Sequence, residues 1–285
     1  MLKIPPRVAA IHDLSCFGRC ALTVIIPTLS ALGAQTVPVP TALLSTHTGG
    51  FNDMYFADLC GEMDAISAHF STLGLKFDSI YSGFLGSEAQ IERVEKFIDV
   101  FAKEGAPVLV DPVMGDDGEL YSTYTKELGE GMRRLVKKAD IITPNYTEAC
   151  FLTDTPYASL EGKSEGEIEA AALSLIEKLS RFGAGKIAIT GIESTDRVFT
   201  FGLDGTKTFI DSRPRLSAGY PGTGDIFASV VLGEVLGGKC FRDAVASACR
   251  FTAEVIEYTM QFSTPHREGV MLEACLGSLI TEKEG

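Results

Sequence analysis

No run of apolar residues in this chain approaches the roughly 18 needed to cross a bilayer as a helix, so no transmembrane segment is expected. The first residues, MLKIPPRVAAIHD, contain neither an apolar signal core nor a small-residue cleavage site, so no secretory leader is expected. Basic residues are in deficit: 25 Lys and Arg stand against 38 Asp and Glu, a net charge of −13. Long-range electrostatics therefore oppose nucleic acid and anionic membranes, and neither is expected as a partner. A polyanion would have to be held locally, by backbone dipoles, a few cations and a metal.

Several common signatures are missing as well. No G-x-G-x-x-G follows a strand-like run, which argues against a nicotinamide enzyme. Neither H-E-x-x-H nor G-x-S-x-G occurs, which removes two hydrolase classes. Gly233 to Lys239 imitates the start of a Walker loop, but Cys240 stands where Ser or Thr is required, and the segment ends an expected helix. No linker, low-complexity tract or internal repeat divides the chain, so residues 1–285 are expected to form one domain.

What is present is ample core material, 45% hydrophobic, with seven scattered cysteines. An odd number in a chain of this size suits reduced thiols in a cytoplasmic protein better than a disulfide framework, and the sequon at Asn145–Thr147 is then expected to carry no glycan. His12, Cys16 and Cys20 lie near one another, but no fourth zinc ligand is evident.

Short β-rich runs at 7–11, 35–39, 79–82, 107–110, 141–143, 186–190, 198–201 and 208–210 alternate with helical periodicity. Helices are expected near 19–32, 53–72, 87–104, 122–138, 145–153, 164–182, 223–237, 242–260 and 267–281. The βαβα rhythm argues for a mostly parallel sheet covered by helices on both faces. The last two runs, joined through Leu203-Asp204-Gly205-Thr206, read as an antiparallel hairpin. Ligands of such sheets sit outside the carboxyl ends of the strands, so the residues after each run matter most. Those residues form a polar rim: His12-Asp13, Ser45 to Gly49, Gly83-Phe84, Asp111 to Gly118, Thr143 to Asn145 with Glu148, Thr190-Gly191, and Gly222-Thr223-Gly224-Asp225.

The last of these opens a helix. Glycines permit positive φ and close approach of a ligand to the main chain, and a helix start offers unpaired N–H donors to an anion. Asp225 either caps that helix or is a carboxylate whose pKa a neighbouring anion raises toward that of a useful base. Asp111, Asp116, Asp117 and Glu119 crowd one loop after a buried strand, and Asn145 and Glu148 share one helical face. Oxygen donors of this kind suit Mg²⁺ bridging phosphates; the plainer readings are a solvated turn and a helix cap.

With this rim assembled, the chain resembles pyridoxal kinases of the ribokinase superfamily from Val8 to about Leu276. The markers are Ser45-Thr46-His47-Thr48, Tyr81-Ser82-Gly83-Phe84-Leu85-Gly86, Asp111-Pro112-Val113-Met114-Gly115, Ile141 to Asn145 with Glu148, and Gly222 to Asp225. The resemblance implies a ribokinase-like three-layer α/β/α sandwich with a mostly parallel central sheet, assembled as a cytoplasmic homodimer. It implies ATP-dependent phosphorylation of the 5′-hydroxymethyl of a vitamin B6 vitamer. Asp225 would be the catalytic base, and Gly222, Thr223 and Gly224 would steady the transferring phosphoryl group. Asp116 and Glu148 would position Mg²⁺, Glu148 through water, while Asp111 and Thr143 would lie near a monovalent cation such as K⁺. Tyr121, Asn145, Thr190, Gly191 and Arg213-Pro214-Arg215-Leu216 would line ATP. Thr48 and Gly49 would face the B6 ring, together with Asp13 and Phe84, which depart from the serine and tyrosine of familiar pyridoxal kinases. Two alternatives stand beside this reading. One is a hydroxymethylpyrimidine kinase, whose relatives commonly carry cysteine at the position of Asp225; the other is a non-catalytic ATP or B6 sensor.

Overall fold

The computed structural model describes residues 4–121 and 124–280. Its central sheet contains β1 (Arg7–Phe17), β2 (Gln35–Thr46), β3 (Phe56–Asp58), β4 (Ser79–Ser82), β5 (Val108–Val110), β8 (Ile141–Ile142), β9 (Lys186–Glu193), β10 (Arg197–Asp204) and β11 (Lys207–Pro214). The nine strands lie in the order β11-β10-β9-β8-β5-β4-β1-β2-β3. From β2 through β9 the neighbours are parallel; β3, β10 and β11 add antiparallel edges. A separate two-stranded ribbon, β6 (Gly115–Asp116) and β7 (Glu119–Leu120), stands beyond β5.

The helices are α1 (Leu22–Ala31), α2 (Cys60–Thr72), α3 (Glu88–Phe101), α4 (Lys126–Val136), α5 (Tyr146–Leu152), α6 (Glu165–Ser180), α7 (Thr223–Leu236), α8 (Phe241–Thr259) and α9 (Leu272–Cys275). They make two layers because the sheet is apolar on both faces. Along β1, Ala9 and Ile11 enter the core under α2 to α6, while Val8 and Ala10 enter the core under α1, α7, α8 and α9. This is the two-residue alternation of a strand, and it explains why the run reads as continuously hydrophobic. Each fully buried Ile, Leu or Val contributes about 1.5–3 kcal/mol. The three-layer α/β/α sandwich expected from the sequence is therefore the observed fold.

Side chains cap the starts of α3, α4, α5 and α6. Ser87 caps α3 by accepting the Gln90 N–H, and Ile91, Val94, Phe97, Ile98 and Phe101 then place one face in the core. By contrast α7 is buried over eight consecutive residues, Ile226 to Gly233, because it lies between the sheet and the neighbouring α1 and α8. Small residues make that possible: a Cβ on Gly233 would stand 2.5 Å from Leu32.

Several expected boundaries are corrected. The strand expected at 7–11 runs on to Phe17 through an irregular register between His12 and Leu14, so Asp13 lies inside β1 rather than after it. Its partner β2 likewise extends to Thr46, because the two strands pair beyond the carboxyl edge of the sheet. The helix expected at 53–72 splits into β3 and α2, and the helix expected at 19–32 starts only at Leu22. The acidic loop 111–119 contains the β6–β7 ribbon, turned by Asp117 and Gly118 at φ 50° and 81°. The final helix expected at 267–281 is a 3-10 turn at His266–Glu268, then α9, then a second 3-10 turn. Residues 122, 123 and 281 of the expected helices lie outside the described residues.

Candidate active site

The parallel strands end on one edge, and the polar rim gathers there. Asp111 follows β5, Thr143 follows β8, and α7 points its N-terminus at the same place. Gly222 precedes α7 with φ 81°, and no side chain caps the helix. That position requires glycine twice over, since a Cβ would also stand 2.1 Å from the Arg19 carbonyl oxygen. The first-turn N–H groups of α7 thus open outward, with Gly224 exposed and only Asp111 Oδ2, at 4.0 Å, close to the position of its absent Cβ.

Asp225 is not the cap. It lies in the first turn, and its Oδ2 accepts the backbone N–H of Ala21 at 2.8 Å. Its side chain is 16% exposed, and Nδ1 of fully buried His12 lies 4.0 Å from its Oδ1. That imidazole is no counter-ion: burial lowers its pKa to about 3 against a weak opposing contact with the Tyr81 backbone, and neither ring nitrogen has a hydrogen-bond partner of ordinary geometry. Lacking a cationic neighbour, the Asp225 carboxyl is raised from 3.8 to about 7, first by burial and then by the negative charge of Asp13; the Ala21 N–H opposes both. A carboxylate titrating near neutrality is a serviceable general base.

Two further carboxylates of the rim, Asp111 and Glu148, are 6% and 4% exposed. Burial raises both; the charge of Asp225 adds to it at Asp111, which reaches about 8, and the charges of Asp111 and Asp116 add to it at Glu148. Glu148 and Asn145 form a reciprocal capping box at the start of α5, and Glu148 Oε1 also accepts the Met114 N–H at 3.0 Å. The plain capping reading is thus realised, but it leaves the charge of Glu148 unneutralised. Thr143 lies beside Asp111, close enough to favour its anion slightly, yet its hydroxyl forms no hydrogen bond of ordinary geometry; the buried Ser82 hydroxyl is also unpartnered. Buried carboxylates that repel each other beside idle hydroxyls are a donor set suited to hard cations. No cluster of three or more metal-binding side chains occurs among the described residues, so a Mg²⁺ here would complete its shell with water and phosphate oxygens. Asp116 is exposed in the β6 ribbon, outside the buried pair.

The remaining sequence-selected residues divide into two groups. An isolated parallel bridge joins Asn145 to Thr190, and Gly191 follows with φ 68°. Tyr121, 40% exposed, feels the charges of Glu148, Asp116, Asp111 and Asp225, which help burial to raise its hydroxyl pKa. Arg213 and Pro214 belong to β11; the Arg213 guanidinium is tied to Asp211 at 2.7 and 2.9 Å, and Arg215 pairs with Glu193. On the other side of Asp225, Asp13 is 7% exposed and accepts the Ser15 hydroxyl at 2.8 Å. Thr48 and Gly49 lie on an exposed turn after β2, and Phe84 is half-buried after β4.

Sequence reasoning gave no role to Ala21, and to His12 only a place on the polar rim beside a discounted zinc site. Ala21 has φ 49° and ψ −135°, a conformation rarely held without glycine, and this strain aims its N–H at Asp225. Nothing in the local sequence marks it. His12 carried one signal, an ionisable residue at the end of an apolar strand; Gly83 makes room for its ring, since a Cβ there would stand 2.2 Å away.

Comparison with known proteins places this geometry. A protein of Bacteroides thetaiotaomicron named as a phosphomethylpyrimidine kinase is 36% identical, with a TM-score of 0.90 over 100% of this chain and 97% of that one. A second crystal form of it, with pyridoxal, gives 37% and 0.89 over 99% and 98%. Pyridoxal kinase from Lactobacillus plantarum is 29% identical, with a TM-score of 0.86 over 96% of each chain. A pyridoxine/pyridoxal/pyridoxamine kinase of Bordetella avium is 27% identical over 88% of this chain and 85% of its own length. The names split between the two acceptors, and the family description favours the pyrimidine alternative over the B6 reading of the sequence. The phosphomethylpyrimidine kinase model matches residues 10–269. The chain belongs to the phosphomethylpyrimidine kinase family, a ribokinase-fold phosphotransferase that phosphorylates a small hydroxymethyl-bearing metabolite with ATP.

Proposed function

We propose that the acceptor is a six-membered nitrogen heteroaromatic whose hydroxymethyl group is deprotonated by Asp225. The observation that carries this reading is the largely buried Asp225 carboxyl, raised to about 7 at the uncapped start of α7. At neutral pH about half of it would be ionised and able to take a proton as the hydroxyl attacks. The N–H groups of Gly222, Thr223 and Gly224 would meet charge developing on the phosphoryl oxygens. A binding-only sensor would have no use for such a group.

The family match supports hydroxymethylpyrimidine as the acceptor. A second reading, a B6 vitamer, is supported by the pyridoxal form of the Bacteroides protein and by a carboxylate at position 225 where pyrimidine kinases commonly have cysteine. On the nucleotide side, Tyr121, Asn145, Thr190, Gly191 and the Arg213–Leu216 stretch would line ATP. Asp116 and Glu148 would hold Mg²⁺, Glu148 through water, and Asp111 and Thr143 a monovalent cation. Bound there, Mg²⁺ would neutralise charge on the phosphates. The proposal takes the chain as one domain in a homodimer. Seven free cysteines suit a reducing cytoplasm, and no described helix is long and apolar enough to cross a membrane.

The test is a coupled assay with Mg-ATP and, in parallel, hydroxymethylpyrimidine, pyridoxal, pyridoxine and pyridoxamine. Turnover of the pyrimidine with the highest kcat/KM supports the first reading, and a higher value for any vitamer selects the second. No turnover of any of them would overturn both.

A further inference from the structure

Residues 264–269 have no part in the chemistry above, yet they touch three loops around Asp225. The chain makes a single 3-10 turn at His266–Glu268, closed by Gly269 at φ 76°. Arg19 donates its backbone N–H to the Glu268 carbonyl at 3.1 Å, and a Cβ on Gly269 would stand 2.8 Å from the Arg19 carbonyl. His266 stacks on Tyr220 with ring centres 4.8 Å apart, just before Gly222. The Arg267 guanidinium lies 5.0 Å from the centre of the Phe51 ring.

His47 joins this turn to the loop after β2. Its Nδ1 accepts the Gly49 backbone N–H at 3.1 Å, so that nitrogen carries a lone pair. Its Nε2, 2.7 Å from the Arg267 carbonyl oxygen, must then hold the ring proton and donate it. One neutral tautomer satisfies both contacts, and each nitrogen is committed to the backbone of a different segment. The ring is 8% exposed, packs edge-on against Phe51 at 5.0 Å, and lies where a Cβ on Gly18 would be only 2.5 Å away. A purely apolar filler would need neither polar contact.

We propose that His47 is a positioning residue for the acceptor substrate: a bracket that holds the Thr48–Phe51 turn against the 3-10 turn and sets how deeply the acceptor hydroxyl approaches Asp225. This rests on the reading of Thr48 and Gly49 as acceptor-facing. Asn145, Thr190 and Arg213 make their contacts elsewhere, so the effect falls on the acceptor and not on ATP.

The experiment compares His47→Ala, His47→Gln and His47→Asn by kinetics with both substrates and by amide hydrogen exchange without any. His47→Ala should raise the acceptor KM about tenfold, lower kcat less, and leave the ATP KM unchanged. Exchange should quicken in 47–51 and 264–269 while α7 stays protected. His47→Gln, whose side-chain N–H can reach the Arg267 carbonyl from the Nε2 position, should recover more of the KM than His47→Asn, which reproduces only the Nδ1 end. An acceptor KM within about twofold of wild type, or equal rises for both substrates, would overturn the positioning role. Unchanged exchange in both segments would overturn the bracket itself. A wild-type protein inactive on every acceptor sinks the functional reading, and the acceptor role of His47 with it, whereas the exchange arm still decides whether the bracket exists.

Discussion

The backbone N–H of Ala21 meets the carboxylate of Asp225 at 2.8 Å, although 204 residues separate them. This bond partly offsets burial, which would otherwise push the Asp225 pKa higher still, and it fixes which oxygen stays available. Oδ2 is engaged, and Oδ1 lies on the His12 side.

Asp225→Asn should lower kcat by at least about two orders of magnitude, the loss expected for a general base. ATP affinity should change little, since the N–H groups of Gly222 to Gly224 remain. Steady-state kinetics alongside calorimetric ATP titration check this. A variant that keeps wild-type kcat would remove Asp225 from the chemistry.

The same residue should make stability depend on pH. Its folded pKa, about 7, lies above the unfolded 3.8, so the native state holds the proton more tightly between those values. Its contribution is therefore fully present below about pH 4 and is lost as pH rises through about 7. Asn cannot ionise. The Tm of Asp225→Asn relative to wild type should climb from pH 4 to pH 8, by an amount worth on the order of a few kcal/mol. Parallel Tm curves would mean that Asp225 is not raised.

Glu148→Gln should increase the Mg²⁺ needed for half-maximal rate more than it alters acceptor KM. It should also lower Tm, because both Glu148 oxygens accept backbone N–H groups, from Met114 and Asn145, and an amide can accept only one of them. The mismatch is worth about 1–3 kcal/mol. Metal titration of the rate and thermal melts separate the two effects; an unchanged metal titration leaves Glu148 a structural residue alone.

Asp13, proposed to face the acceptor ring, should distinguish its protonation states. Burial raises its pKa and the Ser15 hydroxyl lowers it, and once ionised it can only accept. A pyridine nitrogen offers it a donor only as N–H⁺, whereas an aminopyrimidine offers its exocyclic N–H at every pH. With a B6 vitamer, acceptor KM should rise as the ring nitrogen deprotonates, and less so in Asp13→Ser. With the pyrimidine the profile should be flatter. Identical profiles for both proteins on both acceptors would place Asp13 outside the ring contact.

Much of this was readable one segment at a time. The alternation of strand and helix, the hairpin expected from Val198 to Ile210, the glycine start of α7 and the Asn145–Glu148 pair all follow from residues within a few positions of each other. The misjudged regions share a cause. β1 reaches Phe17 only because β2 supplies partners past the sheet edge, and β3 exists only as a third row on that extension. The local pattern of 53–72 is helical, and cross-strand hydrogen bonds override its first residues.

Residue order alone says which chemistry is on offer: a carboxylate beside a glycine-rich helix start, a ring of carboxylates and hydroxyls after the strands, and a net charge of −13. Periodicity and turn chemistry are local, so they survive in one dimension. What those groups do to each other depends on packing. Packing largely buried Asp225 beside a neutral His12, set Glu148 near Asp111, and strained Ala21 so that its N–H meets the Asp225 carboxylate. A pKa depends on the solvent excluded and on the charges brought near, and both are properties of neighbours that the chain order does not record.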